Sequence, residues 1–383
     1  MIRIIGSCVV SVCIFLGFAV VLERLEYLTA RQGEYGSKPL IPWDKLGVIE
    51  GQKPVLSGSI GWGGTHIPTH GTARRRKLAI SIERQSGYLG GDVLTIALAI
   101  KVHDGVVLAS DSASTLMDQT GKVVNVYNNA NKIFNLYKGL PIGSITWGAG
   151  SIGCASICTL SKDLRRRLMG QDESHLDWKI DTNKYTMQEV AISTRKFLYE
   201  EMYLPYVAQF ANSPEKPDIG YLISGYSASR GLPEVWQIYV DRQGACPEPA
   251  LVQSEQFCGI TWNGMRDAVN RILLGYGEAL PQALLELGIP VEQISPTVEY
   301  IKTKTQACLI DPAMPIQDAI DLAAFLVEAS IMFYRFVPGA PTVGGPMEVA
   351  AITKHEKFKW IARKHYFDPK YNNQEWRCPD GLQ

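Results

Sequence analysis

Thr95 begins an apolar run over residues 95–102, and Asp111 stands just past a second apolar run, 106–109, with His103-Asp104-Gly105 between the two. A threonine hydroxyl is a weak nucleophile unless a base lies beside it, so Thr95 does chemistry only in company. Other reactive side chains offer less. His66 and His70 lie in a Pro-containing stretch with no third ligand, and His103 falls in a turn where a solvated imidazole is ordinary. Ser112 and Ser114 flank Asp111 and read as local hydrogen-bond formers. Cys154 and Cys158 are one helical turn apart, yet no Cys or His pair stands near enough to complete a metal site. Residues 148–153 spell G-x-G-x-x-G between a strand and a helix, the outline of a dinucleotide fingerprint. Their flanking strands read as antiparallel hairpins and not as a βαβ unit. They are therefore taken as a tight strand-to-helix turn with backbone amides facing a cleft. No metal and no cofactor is expected.

These residues need a frame. Asp-Gly between two apolar runs is a strong hairpin signal, because both residues tolerate positive φ. A hairpin this apolar must be covered on at least one face. Residues 112–131 are polar and turn-rich, and 132–136 and 140–147 read as strands. A helix is expected over 152–169, where Arg165-Arg166-Arg167 and Gly170 are ordinary C-terminal chemistry. Thr186 and Glu189 form a capping box for a second helix, whose end Pro205 disturbs. Strands are expected over 218–226, 234–241 and 257–261, helices over 265–276 and 282–287, and an insertion over 291–307. Pro315 opens a helix over 316–334, where Ile316, Ala319, Ile320, Ala323, Val327, Ile331 and Tyr334 form an apolar stripe. Strands over 347–353 and 357–361 close the chain. Segregated runs of strands and helices predict an α+β fold of antiparallel sheets with helices outside. A four-layer αββα sandwich, two antiparallel sheets between helix layers, accounts for the order.

The 383 residues leave room for one large domain or two ordinary ones, and 46% apolar with 20% charged residues describes a chain with a sizeable core. A net charge of zero gives no electrostatic case for nucleic acid or an anionic surface. Eight cysteines without framework spacing read as reduced thiols of a cytoplasmic protein. Residues 4–22 carry no charge and, as a helix, would span about 30 Å, one bilayer core. No small-residue cleavage site follows, so a membrane anchor fits them better than a cleaved signal. Arg74-Arg75-Arg76-Lys77 is a short basic patch of the solvated kind. The expected organisation is thus 1–22 transmembrane or signal-like, 23–94 linker or propeptide, 95–365 folded domain and 366–383 tail. Residues 1–94 fit an anchor with its linker, a propeptide whose removal exposes Thr95, or sequence ahead of a true start near residue 93.

Thr95 opening a strand, the turn and strand 104–109, and then Asp111 together resemble the first two strands of a proteasome β-subunit, and of bacterial HslV. Both are N-terminal nucleophile (Ntn) hydrolases. Lys132-Ile133-Phe134 is similar to that family's lysine with its apolar pair. Residues 149–153 are similar to its turn into the first helix, and 344–354 to its late closing strand. The resemblance implies the αββα fold and a threonine-type peptidase that self-associates into rings, takes a polypeptide substrate and works with an unfoldase. It implies Thr95 as nucleophile, with its own α-amine as base once Thr95 is the first residue. It further implies that Asp111 orients Lys132, that Lys132 favours the neutral amine, and that Gly150 offers its N–H to the oxyanion. Two departures stand out. Leu94 occupies the place of the family's glycine before the cleavage point, and Ala340 and Val343 replace its Asp and Ser. Plain alternatives exist for each residue: Thr95 as a β-branched strand residue, Asp111 with Lys132 as a structural ion pair, Gly150 as a turn glycine. The chain also fits a non-catalytic structural subunit with Thr95 internal, or an amidase acting on small amides.

Overall fold

Ile96–Val102 (β1) and Gly105–Ser110 (β2) form the expected antiparallel hairpin, and both strands are buried along their whole length. The computed structural model describes residues 95–117, 123–210, 216–339 and 342–364. The stretches expected as membrane segment, linker and tail lie outside the described residues, as do His66, His70 and Ala340.

Ser114–Met117 (β3) and Val123–Tyr127 (β4) pair as a hairpin within the region expected to be turns. Ile133–Asn135 (β5) and Ile142–Gly148 (β6) follow as expected. A small hairpin, Ser151–Ile152 (β7) with Ala155–Ser156 (β8), then precedes the first helix, Ile157–Leu168 (α1). The helix starts later than its sequence pattern suggested because Ser156 caps it, its Oγ accepting the Thr159 N–H at 3.1 Å. Ser151 pairs with Ser156 and Ile152 with Ala155 across the hairpin instead. The dinucleotide outline dissolves here, since its last two glycines flank β7, with Gly153 in the hairpin turn, and do not open a helix.

Met187–Arg195 (α2) begins at the expected capping box: Thr186 Oγ1 accepts the Glu189 N–H at 3.2 Å, and Glu189 Oε2 accepts the Thr186 N–H at 2.9 Å. It continues through a π-helical stretch, Lys196–Tyr203, into Leu204–Val207 (α3), where Pro205 sits in a first turn and interrupts nothing. Ile219–Gly225 (β9) and Glu234–Val240 (β10) form the expected hairpin. Ala250–Gln253 (β11) has no counterpart in the sequence-based expectation, and Gly259–Gly264 (β12) lies further along the chain than expected. Asp267–Leu273 (α4), Leu280–Glu286 (α5), Val291–Thr305 (α6) and Ile316–Phe336 (α7) follow. The supposed insertion is thus a helix, with Pro296 inside it. Glu348–Thr353 (β13) and Lys357–Ala362 (β14) close the fold. Among the described residues no helix is long and apolar enough to cross a membrane.

Ten of these strands make two five-stranded antiparallel sheets, ordered β12-β1-β2-β13-β14 and β11-β10-β9-β6-β5. The fold is α+β. Alternate residues of β1 divide between two apolar clusters, as the two-residue period of a strand requires. Ile96, Leu98 and Ile100 pack with Ala319, Ala323 and Val327 of α7. Ala97 and Ala99 pack with Ile145, Leu222 and Val235 of the other sheet. A third cluster joins Tyr221 and Ile223 to Leu160, Leu164 and Phe197. Gly105 serves packing and not the turn. Its φ is not positive, but a Cβ there would lie 2.5 Å from the Ile352 carbonyl oxygen on β13.

Candidate active site

Asp111 lies one residue past β2, and its carboxylate is fully buried. Oδ1 accepts Lys132 Nζ at 2.7 Å and the Ile96 N–H at 3.2 Å. Oδ2 accepts the Ala113 N–H at 3.1 Å and the Gly344 N–H at 3.0 Å. Four donors around one carboxylate fix its plane. Lys132 leads into β5, so the pair joins an element of one sheet to an element of the other. Burial pulls the Lys132 amine below the ordinary lysine range, and the Asp111 charge and hydrogen bond oppose that shift.

Thr95 is buried, and its carbonyl accepts the Met265 N–H at 2.7 Å, which carries the β1–β12 ladder one residue beyond β1. The next amide in the chain, that of Ile96, is the one that bonds Asp111. A single carboxylate oxygen therefore ties the Lys132 ammonium to the residue after Thr95. In the intact chain the Thr95 nitrogen is an amide to Leu94, with no basic lone pair.

Gly150 is exposed, and its carbonyl accepts the Ile157 N–H at 3.0 Å. A Cβ added to it would lie 3.3 Å from Ser114 Oγ, on the segment that follows Asp111. The structure thus brings the Thr95–Ile96 junction, Asp111 and Lys132 into direct hydrogen-bond contact. Gly150 lies beside Ser114 and has no hydrogen bond to any of the three among the described residues.

A second ion pair beside the first went unread in the sequence. Glu348 is buried at the start of β13; its Oε2 accepts the Lys132 N–H at 3.3 Å, and its Oε1 faces Lys364 Nζ at 3.2 Å. Lys364 Nζ also donates to Ser112 Oγ at 2.5 Å and to the Ala130 carbonyl at 2.7 Å. Ser112 does not bond locally, because its hydroxyl donates to the Pro346 carbonyl and its N–H to that of Gly344. Glu348 left a faint signal as a carboxylate opening an apolar strand. Lys364, one of several cations after β14, left none.

The two departures from the family pattern have separate outcomes. Val343 is buried in the apolar cluster of α7, so packing fills that position. Ala340 lies outside the described residues. Gly345 is held to glycine by position, with φ +75° and a Cβ site 2.4 Å from the Asn128 carbonyl oxygen. Among the described residues, His103 is exposed, Cys154, Cys158, Cys246, Cys258 and Cys308 are free, and no cluster of His, Cys, Asp or Glu could hold a metal ion.

No family model and no curated protein matches this chain. The solved structures similar to it include two of Anbu. Anbu (ancestral beta-subunit) from Yersinia bercovieri is 13% identical, with 70% of this chain and 88% of that chain covered and a TM-score of 0.39. The helical assembly of the Anbu complex from Pseudomonas aeruginosa is 13% identical, with 72% and 89% covered and a TM-score of 0.38. At this identity and TM-score they transfer no activity. They do correct the assignment to proteasome β-subunits and HslV, since Anbu is a proteasome-like but distinct family. The reason is physical. The motifs that suggested that assignment are framework positions: Gly105 admits β13, Gly345 admits the Asn128 backbone, and Lys132 with Asp111 joins two sheets. Framework positions mark an architecture, not a branch of it.

Proposed function

We propose that this chain hydrolyses amide bonds as a threonine-type peptidase, through Thr95, once residues 1–94 are removed. One observation carries the proposal: Asp111 Oδ1 receives both Lys132 Nζ, at 2.7 Å, and the amide that directly follows Thr95, at 3.2 Å. With Thr95 first in the chain, its α-amine takes the proton from Oγ1 as Oγ1 attacks the substrate carbonyl. The tetrahedral oxyanion collapses, the C–N bond breaks, and the proton passes to the leaving amine. Water, deprotonated by the same α-amine, then cleaves the ester and releases the carboxylate. Lys132, held by Asp111, keeps positive charge beside the amine and favours its neutral, basic form. Gly150 supplies an N–H to the oxyanion, a contribution of about 3 kcal/mol for one such donor.

The proposal extends to architecture and assembly. The division of β1 between an α7 cluster and an inter-sheet cluster, with helices packed on the other sheet, supports four layers in the order αββα. Phe325, Met332 and Phe336 are exposed on α7 and support self-association through that helix. A polypeptide is the proposed substrate, with small amides as the comparison.

A second role has its own support. Thr95 is only 4% exposed, and bulky Leu94 precedes it, which suits a non-catalytic subunit with Thr95 internal. Intact mass and N-terminal sequencing of protein from its native host separate the two. A chain beginning at Thr95 that cleaves peptides faster than small amides, and loses this in Thr95→Ala, is the expected result. A chain that keeps Leu94 sinks the threonine mechanism.

A further inference from the structure

The Asp111–Lys132 pair does not hold itself in place. Lys132 is reached through the loop after β4 and Asp111 through the end of β2, and Glu348 with Lys364 touches both segments. Glu348 Oε2 accepts the Lys132 N–H, at 3.3 Å, and Lys364 Nζ bonds the Ala130 carbonyl, at 2.7 Å, just before it in the chain. The same ammonium donates to Ser112 Oγ, at 2.5 Å, on the residue after Asp111. We infer that Glu348 and Lys364 are positioning residues, a buried ionic strap that clamps the backbones carrying Asp111 and Lys132 and balances the charge around the Lys132 ammonium. This rests on the proposed role of Lys132 beside Thr95.

The charges facing Lys132 are Asp111 from the end of β2, Glu348 from β13 and Lys364 from beyond β14. Cys158, on α1, lies within electrostatic reach of Lys364. Without Lys364, the carboxylate of Glu348 would be buried with its charge uncompensated, and the nearest cation left to it would be Lys132. Lys132 would then be shared between two acids, and its geometry toward Thr95 would change. Without Glu348, Lys364 would repel Lys132 with nothing between them. The two single losses therefore act on Lys132 with opposite sign: losing Lys364 raises its proton affinity, and losing Glu348 lowers it.

The test is a pH titration of Lys132 in ¹³C-lysine-labelled full chain, with its ε-carbon resonance assigned by loss in Lys132→Arg. The expected result is an upward displacement in Lys364→Met, a downward one in Glu348→Gln, and a return toward wild type in the double variant. Peptidase kcat in the double variant is expected to stay low, by about 10²-fold, because the clamp on Ala130 and Ser112 is gone. Single variants that fold but leave Lys132 titrating as in wild type, or move it in the same direction, overturn the inference. Should a single variant fail to fold, the double variant and Lys364→Arg carry the test, since both conserve local charge. A displaced Lys132 titration in either overturns it equally. The titration needs no turnover, so the two ideas fail separately. The expected displacements without any Thr95-dependent hydrolysis leave the strap standing and remove the peptidase. Thr95-dependent hydrolysis with an unmoved Lys132 does the reverse.

Discussion

Two lysines in this molecule are buried beside the same hairpin and are held in opposite ways. Lys132, at the Thr95 end, bonds a carboxylate at 2.7 Å, and a second acid and a second cation complete the group. Lys101, near the other end of β1, donates to the Ser254 carbonyl. Burial lowers its proton affinity, and Cys258 and the two acids Glu234 and Glu255 raise it only from a distance. Each of those acids already has a partner, the Trp236 Nε1–H for Glu234 and Arg230 for Glu255. Burial lowers the proton affinity of both lysines. The difference lies in what surrounds the charge. At the Thr95 end a set of opposed charges fixes an ammonium in one place. At the other end a neutral carbonyl anchors a cation just past β11, a strand of the neighbouring sheet. The first arrangement suits chemistry and the second suits attachment.

The largest effect expected from this contrast belongs to Asp111→Asn. The substitution keeps the shape but deletes the anion, leaving Lys132 buried without its contacting counter-charge. Breaking a buried pair in this way costs about 3–5 kcal/mol. The side-chain amide also cannot accept from all four donors that now converge on the carboxylate. Urea unfolding should show the loss, and a chain beginning at Thr95 should lose hydrolysis with it. A destabilisation below about 1 kcal/mol would erase the distinction between the two ends.

Lys101→Met should act in the other direction and depend on pH. Folding lowers the proton affinity of Lys101, so between its lowered pKa and the ordinary value of 10.5 the unfolded chain binds more protons than the folded one. Stability therefore rises with pH across that window, and the charged form is the costly one below it. Met keeps most of the volume and removes the charge. The variant is expected to gain stability relative to wild type near neutral pH, by about 1 kcal/mol, with the difference shrinking as pH climbs toward 10. Unfolding midpoints at several pH values measure it. A gap that widens with pH would mean that folding raises the proton affinity of Lys101 and does not lower it.

How much of this was legible in the sequence follows from the range of the forces involved. The β1–β2 hairpin, the Thr186 capping box and the α7 stripe were readable because their causes are local: alternation, one cap, a helical period. Asp111 and Lys132 were readable as a pair only through resemblance. Their contact joins residues from different sheets, and no local pattern encodes it. The β3–β4 hairpin was missed although β4 is mostly Val and Tyr, because the run is short, lies in a polar region and leaves Val124 and Tyr127 exposed. Helix α1 was placed too early because a two-residue hairpin carries no periodicity. Glu348 and Lys364 lay beyond reach for the same reason as β11: their partners are fixed by tertiary contact alone.

The smallest effect sharpens the comparison most finely. Gln253, the residue before Ser254, is fully buried, and its Nε2 donates to Thr261 Oγ1 at 2.8 Å, linking β11 to β12. Its Oε1 has no partner among the described residues. Gln253→Leu therefore removes one hydrogen bond and one unmet acceptor together, and the Thr261 hydroxyl can rotate toward another acceptor. Losing the bond costs about 1 kcal/mol, and relieving the acceptor returns a similar amount. The expected change in unfolding free energy stays within about 1 kcal/mol of zero. At the Thr95 end the tolerance is smaller: both oxygens of Asp111 accept hydrogen bonds, and Glu348 Oε1, which has no hydrogen-bond partner either among the described residues, carries a charge paired with Lys364 at 3.2 Å. A loss of about 3 kcal/mol or more in Gln253→Leu would show that the Lys101 end is also a coupled polar network, with the Gln253 amide holding the Ser254 carbonyl under Lys101.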